Sequence, residues 1–179
     1  MKRTAIILLT IAIALMVTSG IDAKVKHNRK VVPKRMLSIE AVKHAYINKV
    51  NSLVQFEYDG YFLTDITGDG IPELWVKYGT CEADYMLEVY TFDKSGLKRI
   101  LSTGAGHTGY YGYRNDNYVI AQNAHMGYET LTRITYTGKK LHEKIIYRSP
   151  GEVRNYKQLR EPYFEFIPFN NANAIYHLF

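Results

Sequence analysis

The chain has 179 residues, 23 of them basic and 17 acidic for a formal net charge of +6, and one cysteine. That length suits about one domain, able to bury roughly two-thirds of its unfolded surface. A hydrophobic share of 46% against 22% charged excludes global disorder, because enough apolar surface exists to offset the entropy of ordering the chain, and a lone cysteine excludes a disulfide framework or a cysteine-based zinc site.

Lys2 and Arg3 precede an apolar run from Ala5 to Val17, followed by Thr18, Ser19 and Gly20 and then Ala23. This charged, apolar, small-residue order predicts a secretory signal peptide over residues 1–23, cleaved after Ala23 or Gly20. The alternative, a membrane anchor, needs about 20 apolar residues, more than this run holds, so no stable membrane insertion is expected after cleavage. The mature chain is expected to be secreted or periplasmic. Residues 24–35 read as a basic linker, with Lys24, Lys26, Arg29, Lys30, Lys34 and Arg35 and no acid among them. It serves as a solvated spacer or gives weak attraction to an anionic surface or glycan. The body, residues 36–179, is close to neutral, so no basic face tracks phosphates and nucleic acid is not an expected partner.

Ser38 is placed to cap a helix whose apolar residues Ile39, Val42, Tyr46, Val50 and Leu53 recur at spacings of three and four. Beyond Phe56, β-branched and aromatic segments alternate with turn residues, predicting strands over 60–65, 73–78, 85–92, 97–101, 109–114, 118–124, 128–136 and 140–148. Short turns at Asp93–Gly96, Asn115–Asn117 and Thr137–Lys139 suit hairpins. The expected fold is α+β: one N-terminal helix packed on a largely antiparallel β-meander sheet of seven or eight strands. Tyr163–Ile167 reads as one more strand, and Asn170–Phe179 either closes over the core or frays. Trp75 is expected against the helix or capping the loop before it, and Cys81 as a small buried hydrophobe, with an intermolecular link or reactive thiol as alternatives.

The segment Asp65-Ile66-Thr67-Gly68-Asp69-Gly70-Ile71-Pro72-Glu73 carries oxygen-bearing side chains at loop positions 1, 3, 5 and 9, with a glycine at 6. Asp65, Thr67 and Asp69 aim oxygens inward, Gly70 permits a sharp reversal, the Ile71 carbonyl adds a ligand and Glu73 closes the shell, an arrangement suited to calcium. The alternative is a metal-free turn in which Asp65 and Asp69 accept backbone N–H bonds. An EF-hand needs a glutamate at position 12, where Val76 stands, and flanking helices.

The loop instead resembles the D-x-[DN]-G-D-G-x-x-[DE] loop of integrin FG-GAP repeats, with Thr67 departing from the usual Asn or Asp. That resemblance implies a calcium loop between two strands. It does not imply a propeller, which needs at least four blades of about forty residues each. A looser similarity runs through this loop and Leu74, Tyr90-Thr91-Phe92-Asp93-Lys94-Ser95-Gly96, Gly106-His107 and His125-Met126-Gly127. On these residues the chain is similar to small exported proteins of gut bacteria that carry one such loop, which implies export and calcium binding and nothing about catalysis.

His107-Thr108-Gly109-Tyr110 recurs as His125-Met126-Gly127-Tyr128. A hairpin turning at Asn115–Asn117 would set His107 opposite His125, close enough for the imidazoles to meet. Three readings stand: a structural pair, a surface of His107, His125, Tyr110, Tyr111 and Tyr128 that takes a glycan or peptide, and a metal or acid/base site. Two histidines leave a zinc shell incomplete, and no Gly-x-Ser-x-Gly or His-Glu-x-x-His pattern supplies a nucleophile or a metalloprotease helix. The expected function is a calcium-stabilised, non-enzymatic binding module. The alternative is a hydrolase of an envelope or dietary polymer using His107 and His125 with a carboxylate brought in by the fold.

Overall fold

A computed structural model describes residues 38–56, 59–114, 116–149 and 161–179, all within one unit, Leu37–Phe179. The expected signal peptide and basic linker lie outside the described residues, as does Asn115 of the expected hairpin turn. No helix among the described residues is long and apolar enough to cross a membrane.

Helix α1 spans Ile39–Asn51 and buries Val42, Tyr46 and Val50 completely, the stripe that its period places on one face. Leu53 joins them at 6% exposure, whereas Ile39, at the open first turn, is 40% exposed. Eight strands follow among the described residues. The first four are β1 (Gly60–Thr64), β2 (Glu73–Tyr78), β3 (Met86–Asp93) and β4 (Gly96–Gly104). After them come β5 (Thr108–Tyr111), β6 (Tyr118–His125), β7 (Tyr128–Tyr136) and β8 (Leu141–Ser149).

The class is α+β and every strand pair is antiparallel, but the strands do not form one sheet. They form two four-stranded sheets, β1-β2-β3-β4 and β5-β6-β7-β8. The ladder breaks between β4 and β5. There Ala105 is fully buried with its N–H donated to Tyr85 O at 2.7 Å, and His107 takes φ +52°, so the chain leaves the first sheet before starting the second.

The first sheet is covered on both faces, which is why β1 is buried along its whole length rather than alternating. Its period of two sorts two cores. Tyr61, Leu63, Leu74 and Val76 face α1 and the C-terminal 3₁₀ segment Phe169–His177, which contributes Phe169, Ala172 and Ile175. Phe62, Trp75, Leu87 and Val89 face Tyr110, Val119, Ile134 and Leu141 of the second sheet. Trp75 therefore packs between the sheets, stacked 5.3 Å from Phe62, and not against the helix or over the loop as its neighbours in sequence suggested. Burying a ring of this size contributes roughly 3 kcal/mol.

Between the sheets runs a C-terminal strap. Ile167 exchanges two backbone bonds with Tyr61 of β1, at 2.8 and 2.9 Å, while Phe164 N–H donates to Tyr110 O of β5 at 2.8 Å. The strand expected over Tyr163–Ile167 is thus two isolated bridges, one to each sheet, because the strap crosses from one edge to the other. Gly60 is required for this crossing, since a Cβ there would lie 2.1 Å from Ile167 O.

Candidate functional site

Two places gather the residues that the sequence singled out. The first is the β1–β2 loop. Asp65 follows β1 and Glu73 opens β2, and the loop between them turns through Gly68 at φ +73° and Gly70 at φ +85°, conformations in which glycine carries no Cβ penalty. Asp65 Oδ1 accepts N–H bonds from Gly68 (2.7 Å) and Asp69 (3.3 Å), its Oδ2 accepts from Gly70 (2.8 Å), and Thr67 Oγ1 donates to Oδ1 at 3.4 Å. Asp69 Oδ1 accepts from Ile71 N–H at 2.9 Å. Glu73 lies beneath the loop, fully buried, with Oε2 accepting from Ile66 (3.0 Å) and Thr67 (3.3 Å) and Oε1 from the Thr91 hydroxyl (3.1 Å).

Burial raises the Glu73 carboxyl to about 7, the nearby Asp69 charge adds to the rise, and the bonds from Thr91, Thr67 and Ile66 oppose it. The Tyr46 hydroxyl, which donates to Pro72 O at 3.0 Å, is raised too, first by burial and then by Glu73 and Asp69. Among the described residues no Lys or Arg forms an ion pair with Asp65, Asp69 or Glu73. In kind, this all-oxygen, anionic and uncompensated set fits a hard cation. In arrangement, no three acidic, histidine or cysteine side chains among the described residues converge on one point. Glu73 in particular uses three of a carboxylate's roughly four acceptor positions on the loop and Thr91.

The second place is a seam where the β2–β3 loop meets the ends of β5, β6 and β7. The imidazoles of His107 and His125 do meet, stacked with centroids 4.0 Å apart and planes 17° apart. The register that was to bring them together is different. Thr108 pairs with Asn123 and Tyr111 with Ile120, so His107 stands opposite Ala124, one residue short of His125. β5 ends at Tyr111, making the turn longer than three residues. Such a slip would set the histidines on opposite faces of a regular ladder. It does not here, because His107 precedes β5 in left-handed backbone, which re-aims its side chain.

At the other end of the pair, His125 pairs with Tyr128 across Met126 and Gly127, both at positive φ (+49° and +81°), a type I′ hairpin. Met126 is 83% and Tyr128 64% exposed. Alternation sends Tyr110 inward to 1% exposure, among Phe62, Trp75 and Phe166, so it belongs to the core and not to the exposed face; Tyr111 packs edge-on against Tyr163.

Sequence reasoning missed Glu82. Its Oε2 accepts His107 N–H at 2.7 Å and lies 3.5 Å from His107 Nδ1. Gly106 makes the approach possible, since a Cβ there would lie 2.3 Å from Glu82 O. No local pattern marks a partner 25 positions away; only the glycine hinted at close approach. Cys81 beside it is exposed, not buried, because Asp84 accepts the Thr80 and Cys81 N–H groups and holds the segment as a surface turn.

Two clefts of about 480 and 300 Å³ share Leu63, Arg114 and Leu178, and the smaller reaches Asp65 and Gly70. Neither contains His107 or His125. Comparison with family models, with curated proteins and with solved structures finds no match.

Proposed function

We propose that this chain is an exported, calcium-stabilised domain, secreted or periplasmic, that acts as a non-enzymatic binding module and takes a glycan or peptide at the His107–His125 seam. The observation that carries the reading is the exposed grouping of two stacked imidazoles with Met126 and Tyr128, on a hairpin held in strained backbone. Rings and ring nitrogens facing water offer stacking and hydrogen bonding to a polar ligand at little desolvation cost. Left-handed backbone at a non-glycine residue is a feature that function commonly maintains.

Calcium has the stabilising role. Asp65, Thr67, Asp69, the Ile71 carbonyl and Glu73 are the ligands proposed, and the support is the uncompensated charge of their carboxylates together with the resemblance to FG-GAP loops. Export rests on the pattern of residues 1–23.

Glycan and peptide arrays probed with the calcium-loaded protein test the reading. Binding should fall at least tenfold in His107→Ala and Tyr128→Ala, and array binding indifferent to both changes would move the site elsewhere. A second reading, a hydrolase, is favoured by one observation, the Glu82 carboxylate beside His107 Nδ1, which suits a general acid or base oriented by its neighbour. Turnover of an envelope or dietary polymer that Glu82→Gln abolishes would establish it over the first.

A further inference from the structure

Lys77 projects from β2 into the protein at 6% exposure. Its Nζ lies 3.4 Å from Asp59 Oδ2, donates to Thr108 O at 3.3 Å, and stands 4.6 Å from the centre of the Tyr85 ring and 5.9 Å from that of Phe166. Asp59 immediately precedes β1, and Gly60 pairs with Lys77, so strand register holds the carboxylate beside the amine. Asp59 is one of few non-glycine residues in left-handed backbone, at φ +68°. Its Oδ2 is shielded from solvent and has no hydrogen-bond partner among the described residues, so at 3.4 Å the contact with Lys77 is an ion pair without a well-formed bond. An oxygen buried in this way is costly to leave unmatched.

We propose that Lys77 and Asp59 condense to an intramolecular amide, a covalent clamp joining β2 to the residue that leads into β1. The ammonium proton passes to the Asp59 carboxylate, giving a neutral amine and a carboxylic acid. The Nζ lone pair attacks Cγ, one C–N bond forms, one C–O bond breaks, and the departing hydroxyl leaves with a proton from the attacking nitrogen as water. No oxidant, reductant or co-reactant is required.

Burial raises the Asp59 carboxyl above its ordinary range and the Glu82 charge adds to the rise, against the opposing pull of Lys77. Holding the two groups in contact removes the entropy of bringing them together, a substantial part of the barrier to an uncatalysed amide synthesis. The Tyr85 and Phe166 rings lie against the Lys77 amine, which is nearly excluded from solvent, and leave little room for water around it.

Peptide mapping of the full chain, denatured after purification, decides the matter. Residues Val50–Lys77 contain both partners and no internal Lys or Arg, so trypsin releases them as one peptide when Lys77 is free. An amide at Lys77 blocks that cut. The expected product is Val50–Lys94, one water lighter than its sequence requires, and chymotrypsin cuts between Asp59 and Lys77 should leave its two parts joined. Lys77→Arg, whose guanidinium keeps the charge but remains protonated, and Asp59→Ala should give unlinked peptides at full mass. Recovery of Val50–Lys77 from the wild type at full mass would show an ordinary ion pair and overturn the proposal. Because the reading is made on denatured chains, a variant that folds poorly still reports.

Discussion

At the β1–β2 loop, Asp65 and Glu73 are turned toward the loop backbone, whose N–H groups fill three acceptor positions on Asp65 and two on Glu73. At the seam, where His107 ahead of β5 meets the β6–β7 hairpin, two imidazoles, a thioether and a phenol are turned outward. Both places depend on left-handed backbone, but the loop assigns it to Gly68 and Gly70 whereas the seam imposes it on His107 and Met126. The loop is built for stability and the seam tolerates strain in exchange for exposure. If the seam binds a ligand as proposed, substitutions should separate accordingly: those in the loop move the folding equilibrium, and those in the seam move binding with small or opposite changes in stability.

Glu73 offers the largest test of the contrast. At pH 5, Glu73→Ala strips the Ile66 and Thr67 N–H groups and the Thr91 hydroxyl of their acceptor and opens a cavity, at a cost of about 3 kcal/mol in urea denaturation. The sign of the pH dependence follows from the raised carboxyl. Its folded value of about 7 exceeds the ordinary 4.5, so the folded state holds the proton more tightly and the associated stability is complete below pH 4.5. That stability drains away as pH rises through 7. In chelator the loss should approach about 3 kcal/mol, and Glu73→Gln, which carries no charge at either pH, should remove this component. Equal pH profiles for the wild type and Glu73→Gln would mean that the buried carboxylate never ionises at a cost.

Calcium sharpens the same comparison at a smaller scale. At an affinity of about 0.1 mM, typical of extracellular modules, millimolar calcium adds roughly 1.4 kcal/mol. For a domain of this size that raises the melting temperature by a few degrees. The gain should be larger at pH 8 than at pH 5, because a cation favours the charged form of Glu73 that burial opposes. Asp69→Ala should abolish the dependence, and His107→Ala should leave it intact. Superimposable melting curves with calcium and with excess chelator would remove the ion from the loop.

Much of the fold is legible in the sequence because local rules decide it. The α1 stripe at Val42, Tyr46 and Val50 and the limits of β2 and β7 follow from periodicity and turn residues alone. What was not legible depends on distant partners. Successive hairpins look the same whether they continue one sheet or start another, and the division after Gly104 becomes visible only when Ala105 is seen bonding back to Tyr85. The strap is opaque for the same reason, since its backbone bonds are shared between β1 and β5. At the seam, Tyr110 and Tyr111 are adjacent in a strand and must face opposite sides, so alternation alone admits at most one of them to an exposed face. Glu82 is not legible, because nothing near it in sequence announces His107.

Met126→Asn carries the smallest energy and the sharpest sign. The two central residues of a type I′ hairpin require positive φ, which Asn tolerates and a long unbranched side chain resists, and Asn-Gly is the preferred pair for this turn. Replacing Met126 before Gly127 should therefore stabilise the domain by about 1 kcal/mol, read as a higher urea midpoint at unchanged slope. If the hairpin tip belongs to the ligand face, the same substitution removes a thioether that is 83% exposed and weakens array binding. Stability and binding would then move in opposite directions at one residue, as expected where a strained conformation is retained for contact. A more stable variant that binds as well as the wild type would detach the tip from the site and confine recognition to the stacked histidines and Tyr128.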